Sequence, residues 1–117
     1  MKITIREKDG VIILDIEEEI KRSEKKNLTL HRVVKNRLAT GKIKILLNLE
    51  KVKFIDSNGV GEVLSCYIST HRSGGKLKLA KLSNKTYLIF QITMLTNVLE
   101  IFDDEEEAIR SFFENSK

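Results

Sequence analysis

A run of short polar residues stands directly before the most regular apolar repeat in the chain. Asp56, Ser57 and Asn58 are followed by Gly59, and apolar residues then recur at steps of three and four. Asp, Ser and Asn are preferred caps of helix N-termini, so a helix should begin at or next to Ser57. Capping alone would explain these residue types, with Gly59 and Gly61 letting the first turn lie close to a sheet. The free N–H groups of a helix start also favour an anion, so the second interpretation is a phosphate carried by Ser57.

A hydrolase site at this serine and a zinc site elsewhere in the chain both lack residues that they require. A hydrolase nucleophile elbow requires Gly two residues before the serine, whereas Ile55 stands there. We expect His71 on a buried helix face and His31 on a helix surface, so neither is placed to act as a base. One cysteine and two scattered histidines are too few ligands for zinc. The sequence therefore predicts no catalytic residue, no metal, no cofactor and no enzymatic activity.

Two phosphate chemistries known from other folds also fit poorly. Residues 73–76 read Ser-Gly-Gly-Lys, but a helix is predicted before them and a strand after them, the reverse of a P-loop. A helix end followed by a turn explains them better. A receiver-type phosphoacceptor needs an Asp at a strand end beside an acidic pair that binds Mg²⁺. Asp56 is predicted well past the strand at residues 43–49, and residues 17–19 are only loose candidates for the pair.

The length and net charge of the chain are typical of a single globular domain, which we place at residues 1–117. The 117 residues include 21 Lys and Arg against 17 Asp and Glu, a formal net charge of +4. This charge keeps a basic nucleic-acid-binding domain as an alternative function. Residues 1–100 carry 19 basic and 11 acidic side chains, and residues 101–117 carry 2 and 6. Because the basic excess is scattered and lacks interleaved aromatic residues, it is more typical of a solvated surface, and we expect no direct contact with nucleic acid.

The chain shows no membrane or export signal. Its apolar runs are far shorter than the ~20 residues of a membrane helix. Residues 1–9 lead straight into charged side chains rather than the apolar centre of a secretory signal. With the single unpaired Cys66, these features predict a cytoplasmic location and no membrane partner.

Strand and helix patterns alternate along the chain, which predicts an α/β domain. In the first half of the chain we expect a hairpin around Asp9-Gly10, a helix over residues 23–38, a central strand over 43–49 and a helix over 58–72. A strand over 76–82 should follow, and then a helix through Leu88, Ile89, Ile92 and Leu95. The chain should end with a strand over 98–101 and a last helix that includes Ala108 and Phe112. The order ββαβαβαβα predicts a mostly parallel sheet of about five strands with an antiparallel edge strand, packed with about four helices.

The helix after Ser57 has two predicted faces. The apolar stripe should face inward and comprises Val60, Val63, Leu64, Tyr67, Ile68 and His71. The opposite side would then present Gly61, Glu62, Ser65, Cys66, Ser69 and Arg72. Small, weakly polar residues there would let a partner approach closely next to Ser57, although an ordinary solvated face has the same composition.

The residues around this turn resemble the signature of the anti-sigma factor antagonist family, the STAS domain. Residues 54–61 read Phe-Ile-Asp-Ser-Asn-Gly-Val-Gly, after an apolar strand at residues 45–49. Residues 95–102 followed by an acidic stretch resemble the family's C-terminal pattern. The resemblance covers nearly the whole chain. It departs from the family at Asn58, where a second Ser or Thr is common, and at residues 18–21, where a Gly and an Asp are missing.

The resemblance implies a non-catalytic partner-switching protein. Unmodified Ser57 would permit binding to an anti-sigma factor serine kinase, phosphorylation of Ser57 would release that kinase, and a serine phosphatase would restore binding. The predicted partner-binding residues are Asp56, Asn58, Gly59, Gly61, Glu62 and Ser65. We expect a monomer or weak dimer. A STAS subunit of a larger sensory assembly is an alternative that the residues leave open.

Overall fold

The computed structural model describes residues 2–20 and 30–114, with the side chains of residues 18–20 left out of the description. Its elements are β1 (Lys2–Lys8), β2 (Val11–Ile20), α1 (Leu30–Ala39), β3 (Lys44–Ile55), α2 (Ser57–Arg72), β4 (Lys76–Ala80), α3 (Asn84–Ile92), a short 3₁₀ turn (Leu95–Asn97), β5 (Glu100–Phe102) and α4 (Glu105–Ser111). The predicted order ββαβαβαβα is confirmed. The predicted first seven residues of the first helix lie outside the described residues, as does Lys21; residues 18–20, which with Lys21 depart from the family pattern, belong to β2.

One sheet of five strands organises the domain, in the spatial order β1-β2-β3-β4-β5. β1 pairs antiparallel with β2, and the other neighbours are parallel. The hairpin turns at Asp9 and Gly10, both with positive φ, as the predicted Asp-Gly turn requires. This is the mostly parallel sheet with an antiparallel edge that the alternation of patterns predicted.

Helices cover both faces of the sheet because alternate residues of the central strands point to opposite sides. On one face, side chains of α1, α2 and α3 pack against Leu14, Leu47 and Leu79. On the other face, α4 packs through Ala108, Ile109 and Phe112 against Val11, Ile13, Leu46 and Ala80. Burial on both sides explains why residues 45–47 form a continuous apolar run.

The second face also buries one cation. Lys78 is 2% exposed, and its ammonium donates to the backbone oxygen and the hydroxyl of Ser111 at 3.1 and 2.9 Å. It also lies 4.8 Å from the centre of the Phe112 ring. These contacts compensate for burial of the charge and fasten the end of α4 to β4.

Two expectations about individual elements are wrong. β3 continues to Ile55 instead of ending near Leu49, because Val52 and Ile55 turn inward while Lys51 and Lys53 remain exposed. In α3 the buried residues are Thr86 and Phe90, whereas Leu88 and Ile92, whose apolar spacing predicted this helix, are exposed. The one aromatic side chain that reaches the core sets the rotation of this helix and leaves the aliphatic residues outside.

Candidate functional site

The turn at residues 56–59 joins the end of β3 to the start of α2, the longest strand and helix in the described part of the chain. Ile55, the last residue of β3, is buried in the core. Asp56 is extended, with φ −101° and ψ −177°, and α2 begins at Ser57. Strand and helix are both fixed by core packing, so the turn between them has a defined position at the carboxyl edge of the parallel sheet.

Asp56 is the cap of α2. Its Oδ1 accepts a 2.7 Å hydrogen bond from the Gly59 N–H, and its backbone oxygen accepts one of 2.9 Å from the Val60 N–H. The structure thus resolves the position of Ser57, which lies next to the cap as the first helical residue. The capping interpretation applies to Asp56 and leaves the serine hydroxyl free for another role.

Ser57 is exposed, as is Asn58. Among residues 2–20 and 30–114, no group makes a hydrogen bond to the Ser57 hydroxyl. The four N–H groups at a helix start lack partners within the helix, and the Asp56 carboxylate satisfies only that of Gly59. The N–H groups of Ser57 and Asn58 are therefore available to an anion attached at Ser57 or brought to it.

The buried face of α2 is different from the predicted apolar stripe. It comprises Gly59, Val63, Cys66 and Thr70. Ile68 and His71, predicted to face inward, are exposed. α2 lies against both the sheet and α1, so the narrow seam between them accepts small side chains, and the larger Val60, Leu64 and Tyr67 stay half-buried beside it.

Cys66 was predicted on the outer face and is instead fully buried. Burial raises the pKa of its thiol well above the ordinary value, and the negative charge of Glu62 raises it further. The thiol therefore behaves as a small core side chain rather than a reactive group.

The outward face that starts at Ser57 brings together three of the six predicted partner-binding residues. Asn58, Gly61 and Ser65 follow one another at steps of three and four, and Ile68 continues the same line. Gly61 is exposed and open space surrounds the position where its Cβ would lie. The expectation that Gly61 lets the helix approach the sheet is wrong, whereas Gly59 is buried, as a close approach requires.

Glu62 is directed away from this face. Its Oε2 accepts a 2.9 Å hydrogen bond from the backbone N–H of His31 on α1. The imidazole of His31, predicted to be a surface group, is half-buried and lies 2.7 Å from the Ser69 hydroxyl. These two contacts hold α1 against α2, so Glu62 and Ser69 are committed to the packing of the two helices.

Two residues near the site were missed by the sequence analysis. Phe54, three residues before Ser57, is exposed although it belongs to β3, and Ile68 is exposed on α2. Phe54 stands between buried Val52 and Ile55 where the strand's alternation is interrupted, so periodicity alone could not place it. Large apolar side chains beside a candidate contact surface are typical anchors of protein interfaces.

Other chemistries remain without support in the described part of the chain. Because β3 runs to Ile55, Asp56 does follow a strand end, which removes one argument against a receiver-type phosphoacceptor. However, the described residues contain no group of three or more His, Cys, Asp or Glu side chains able to hold a metal ion. Ser73 caps the C-terminus of α2, Gly74 turns the chain with φ +80°, and Lys76 begins β4. None of the described helices is long and apolar enough to cross a bilayer.

The chain belongs to the STAS domain family, whose sequence profile matches residues 2–108. Relatives include the anti-sigma-B factor antagonist of Bacillus subtilis (strain 168), 31% identical over 62 residues, which are 53% of this chain and 57% of that protein. The anti-sigma F factor antagonist of Paenibacillus polymyxa is 26% identical over 65 residues, 56% of each chain. The chain thus spans little more than half the length of these relatives.

The fold is also shared with a solved protein of Thermotoga maritima, described as a candidate anti-sigma factor antagonist. The two have a TM-score of 0.82 and 26% sequence identity, over 96% of this chain and 95% of that one. The family resemblance and the α/β fold expected from the sequence are therefore confirmed.

Proposed function

We propose that this protein is an anti-sigma factor antagonist that acts without catalysis, as a cytoplasmic partner-switching module. With Ser57 unmodified it binds an anti-sigma factor that is also a serine kinase. Phosphorylation of Ser57 ends that binding, and a serine phosphatase restores it. The protein acts as a monomer or weak dimer. The relatives named as antagonists of anti-sigma factors support the partner class.

The observation that carries the proposal is the exposed Ser57 hydroxyl at the first residue of a capped helix. A kinase can reach this hydroxyl without unfolding the turn. The phosphate that results lies at the positive end of the helix dipole, beside the N–H groups of Ser57 and Asn58. The modified chain should therefore keep its fold, and the effect of the phosphate falls on the partner.

A phosphate at this position changes what the partner must desolvate. It adds about −1.5 to −2 charges to a surface on which Asn58, Gly61 and Ser65 are uncharged. Burying that charge without a cation opposite costs a few kcal/mol, and each 1.4 kcal/mol is about tenfold in affinity. Losing a few kcal/mol of binding free energy therefore lowers the affinity for the kinase by more than about a hundredfold.

The predicted contact residues divide by role. Asn58, Gly61 and Ser65 form the contact face, with Phe54 and Ile68 as apolar anchors at its margins. Asp56 and Gly59 hold the turn through their hydrogen bond. Glu62 supports the face from the side through its contact with α1.

Phosphorylation is tested by incubating the protein with its cognate serine kinase and ATP and measuring the intact mass. We expect one added phosphate in the wild type and in Ser65→Ala, a control that removes a hydroxyl from the same face. We expect none in Ser57→Ala. A wild-type chain that gains no phosphate, or a Ser57→Ala variant that still gains one, would contradict the proposal.

Binding is tested by isothermal titration of the kinase with the unmodified and the phosphorylated protein. We expect measurable affinity for the first and a loss of more than about a hundredfold for the second. Treatment with a serine phosphatase should restore the original affinity. Equal affinities for the two forms would mean that Ser57 is not the switch.

A further inference from the structure

The turn that carries Ser57 also contains a dipeptide with a chemistry of its own. Asn58 is followed by Gly59, and no other asparagine of the chain precedes a glycine. The backbone nitrogen of the residue after an asparagine can attack the side-chain carboxamide and release ammonia. Glycine favours this reaction because, without a Cβ, it neither shields its nitrogen nor restricts the backbone during ring closure. Asn58 is therefore the asparagine of this chain whose local sequence most favours spontaneous deamidation.

Water is the co-reactant of this reaction. The Gly59 nitrogen forms a bond to Cγ of Asn58, and its proton passes through water to the side-chain amide. The Cγ–Nδ2 bond breaks, and ammonia leaves behind a cyclic imide. Water then cleaves the new Cγ–N bond to give an aspartate, or the backbone C–N bond to give an isoaspartate, whose main chain is longer by one methylene. Both products carry a negative charge that Asn58 lacks.

The structure exposes one reacting group and restrains the other. Asn58 is exposed, so water reaches its side chain. Gly59 is buried, and its N–H donates to Oδ1 of Asp56 at 2.7 Å. Both Asn58 and Gly59 lie in the first turn of α2, where helical torsion angles keep the nitrogen away from Cγ. The turn must therefore open, and Asp56 must release Gly59, before the imide can form.

Opening of one terminal turn is a local event. Helix ends fray at a free-energy cost far below that of global unfolding. Loss of the Asp56 cap should raise the population of the open turn about fivefold, the equivalent of about 1 kcal/mol. The rate of deamidation should rise by the same factor, because only the open turn reacts.

We propose that Asn58 is a site of spontaneous deamidation whose rate is set by the Asp56 cap. The new carboxylate stands next to Ser57 on the contact face, whose other members Gly61 and Ser65 are uncharged. An aspartate in the first turn suits the helix dipole, so the fold is kept. The modified chain should resemble the phosphorylated one in its weaker binding to the kinase, but a phosphatase cannot reverse the change. This consequence rests on the proposed function, whereas the reaction does not.

The reaction is tested by incubating the full chain at neutral pH and mapping its peptides by mass spectrometry at successive times. Aspartate and isoaspartate should form at Asn58. Asn97, also exposed, should stay intact because the branched side chain of Val98 hinders ring closure. Asp56→Ala should deamidate at Asn58 about fivefold faster than the wild type. Asp56→Ser keeps a capping oxygen and should stay close to the wild-type rate.

Glu62→Ala separates the cap from the stability of the whole domain. It removes the contact between α1 and α2 but leaves the bond from Gly59 to Asp56 in place, so the rate at Asn58 should stay that of the wild type. An Asp56→Ala chain that deamidates no faster than the wild type overturns the proposal. So does a Glu62→Ala chain as fast as Asp56→Ala, because the reaction would then follow global unfolding.

The effect on binding is tested by calorimetric titration of the kinase with Asn58→Asp and with Asn58→Gln, the uncharged control. Asn58→Asp should bind at least about tenfold more weakly than the wild type, and Asn58→Gln should bind nearly as well. Equal affinities of Asn58→Asp and the wild type overturn the regulatory effect. A wild type without affinity for the kinase overturns both that effect and the proposed function, whereas the deamidation rates, measured without the kinase, decide the chemical site by themselves.

Discussion

The backbone N–H of His31, in the first turn of α1 as the structure describes it, donates to Oε2 of Glu62 on α2 at 2.9 Å. The Glu62 carboxylate thus meets a helix N-terminus, where a negative charge is favourable. The contact joins α1 to the helix whose first residue is Ser57. Glu62, which the sequence predicted to touch a partner, thus helps to hold the site in place through α1.

Loss of this acceptor should lower the stability of the domain. In Glu62→Ala the half-buried His31 N–H loses its partner, and we expect the free energy of unfolding to fall by about 1 kcal/mol. Glu62→Gln keeps an acceptor oxygen and should lose less. Urea unfolding measures both variants. Equal stability of the alanine variant and the wild type would show that the contact contributes nothing in solution.

A carboxylate in place of the serine should imitate the phosphate in part. In Ser57→Asp we expect the kinase affinity to fall at least about tenfold, whereas the melting temperature should change little. The reason is that an acidic residue in the first turn suits the helix dipole, and the cap at Asp56 remains. Titration calorimetry and a thermal melt provide the two measurements. A large drop in melting temperature would mean that Ser57 has a structural role.

The cap itself can be separated from the switch. Asp56→Ala removes the acceptor for the Gly59 N–H and should destabilise the domain by about 1 kcal/mol. Asp56→Asn retains a capping oxygen and should be close to the wild type in stability. Chemical denaturation of the two variants tests this difference. If Asn destabilises as much as Ala, then the negative charge of Asp56, rather than its hydrogen bond, holds the turn.

The sequence predicted the elements well and the rotations of two helices poorly. Alternation and helical spacing identified the five strands and four α-helices of the described residues, because all of them except the largely exposed edge strand β1 have a buried or half-buried side. In α2, the predicted stripe followed the largest apolar residues, but the seam between sheet and α1 accepts small ones, so Cys66 is buried and Ile68 exposed. In α3, Phe90 occupies the core and displaces Leu88 outward.

The candidate site was predictable where local chemistry decides it. Short polar residues before an amphipathic helix predict a cap and an exposed neighbour, which the structure has in Asp56 and Ser57. The commitment of Glu62 to α1 depends on how two distant segments pack. No local pattern encodes that contact, and a regular spacing on α2 placed Glu62 on the wrong side.

A polar network on the face of the sheet that α4 covers makes the free energy of unfolding depend on pH. Arg6 donates to Oε1 of Glu105, at the start of α4, at 2.7 Å, and the Asn48 amide donates to the same oxygen at 2.8 Å. Arg6 also forms a hydrogen-bonded ion pair with Asp15. The hydrogen bond from Arg6, with a smaller contribution from Asn48, lowers the pKa of Glu105 below its ordinary value of 4.5.

The pKa of Glu105 is lower in the folded state than in the unfolded state, so its negative charge stabilises the fold above pH 4.5. That contribution disappears as the pH falls through the folded-state pKa. Arg6 is partly exposed, so the contribution at neutral pH should be below about 1 kcal/mol.

The variant Glu105→Gln tests this dependence on pH, because it retains the acceptor oxygen and the shape of the side chain but not its charge. We expect the gap in unfolding free energy between wild type and variant to be largest at neutral pH and to close in acid. Glu106→Gln, which removes a neighbouring exposed carboxylate outside this network, should show no such closing gap. A gap for Glu105→Gln that stays constant into acid would show that its hydrogen-bond geometry, and not its ionisation, supports α4.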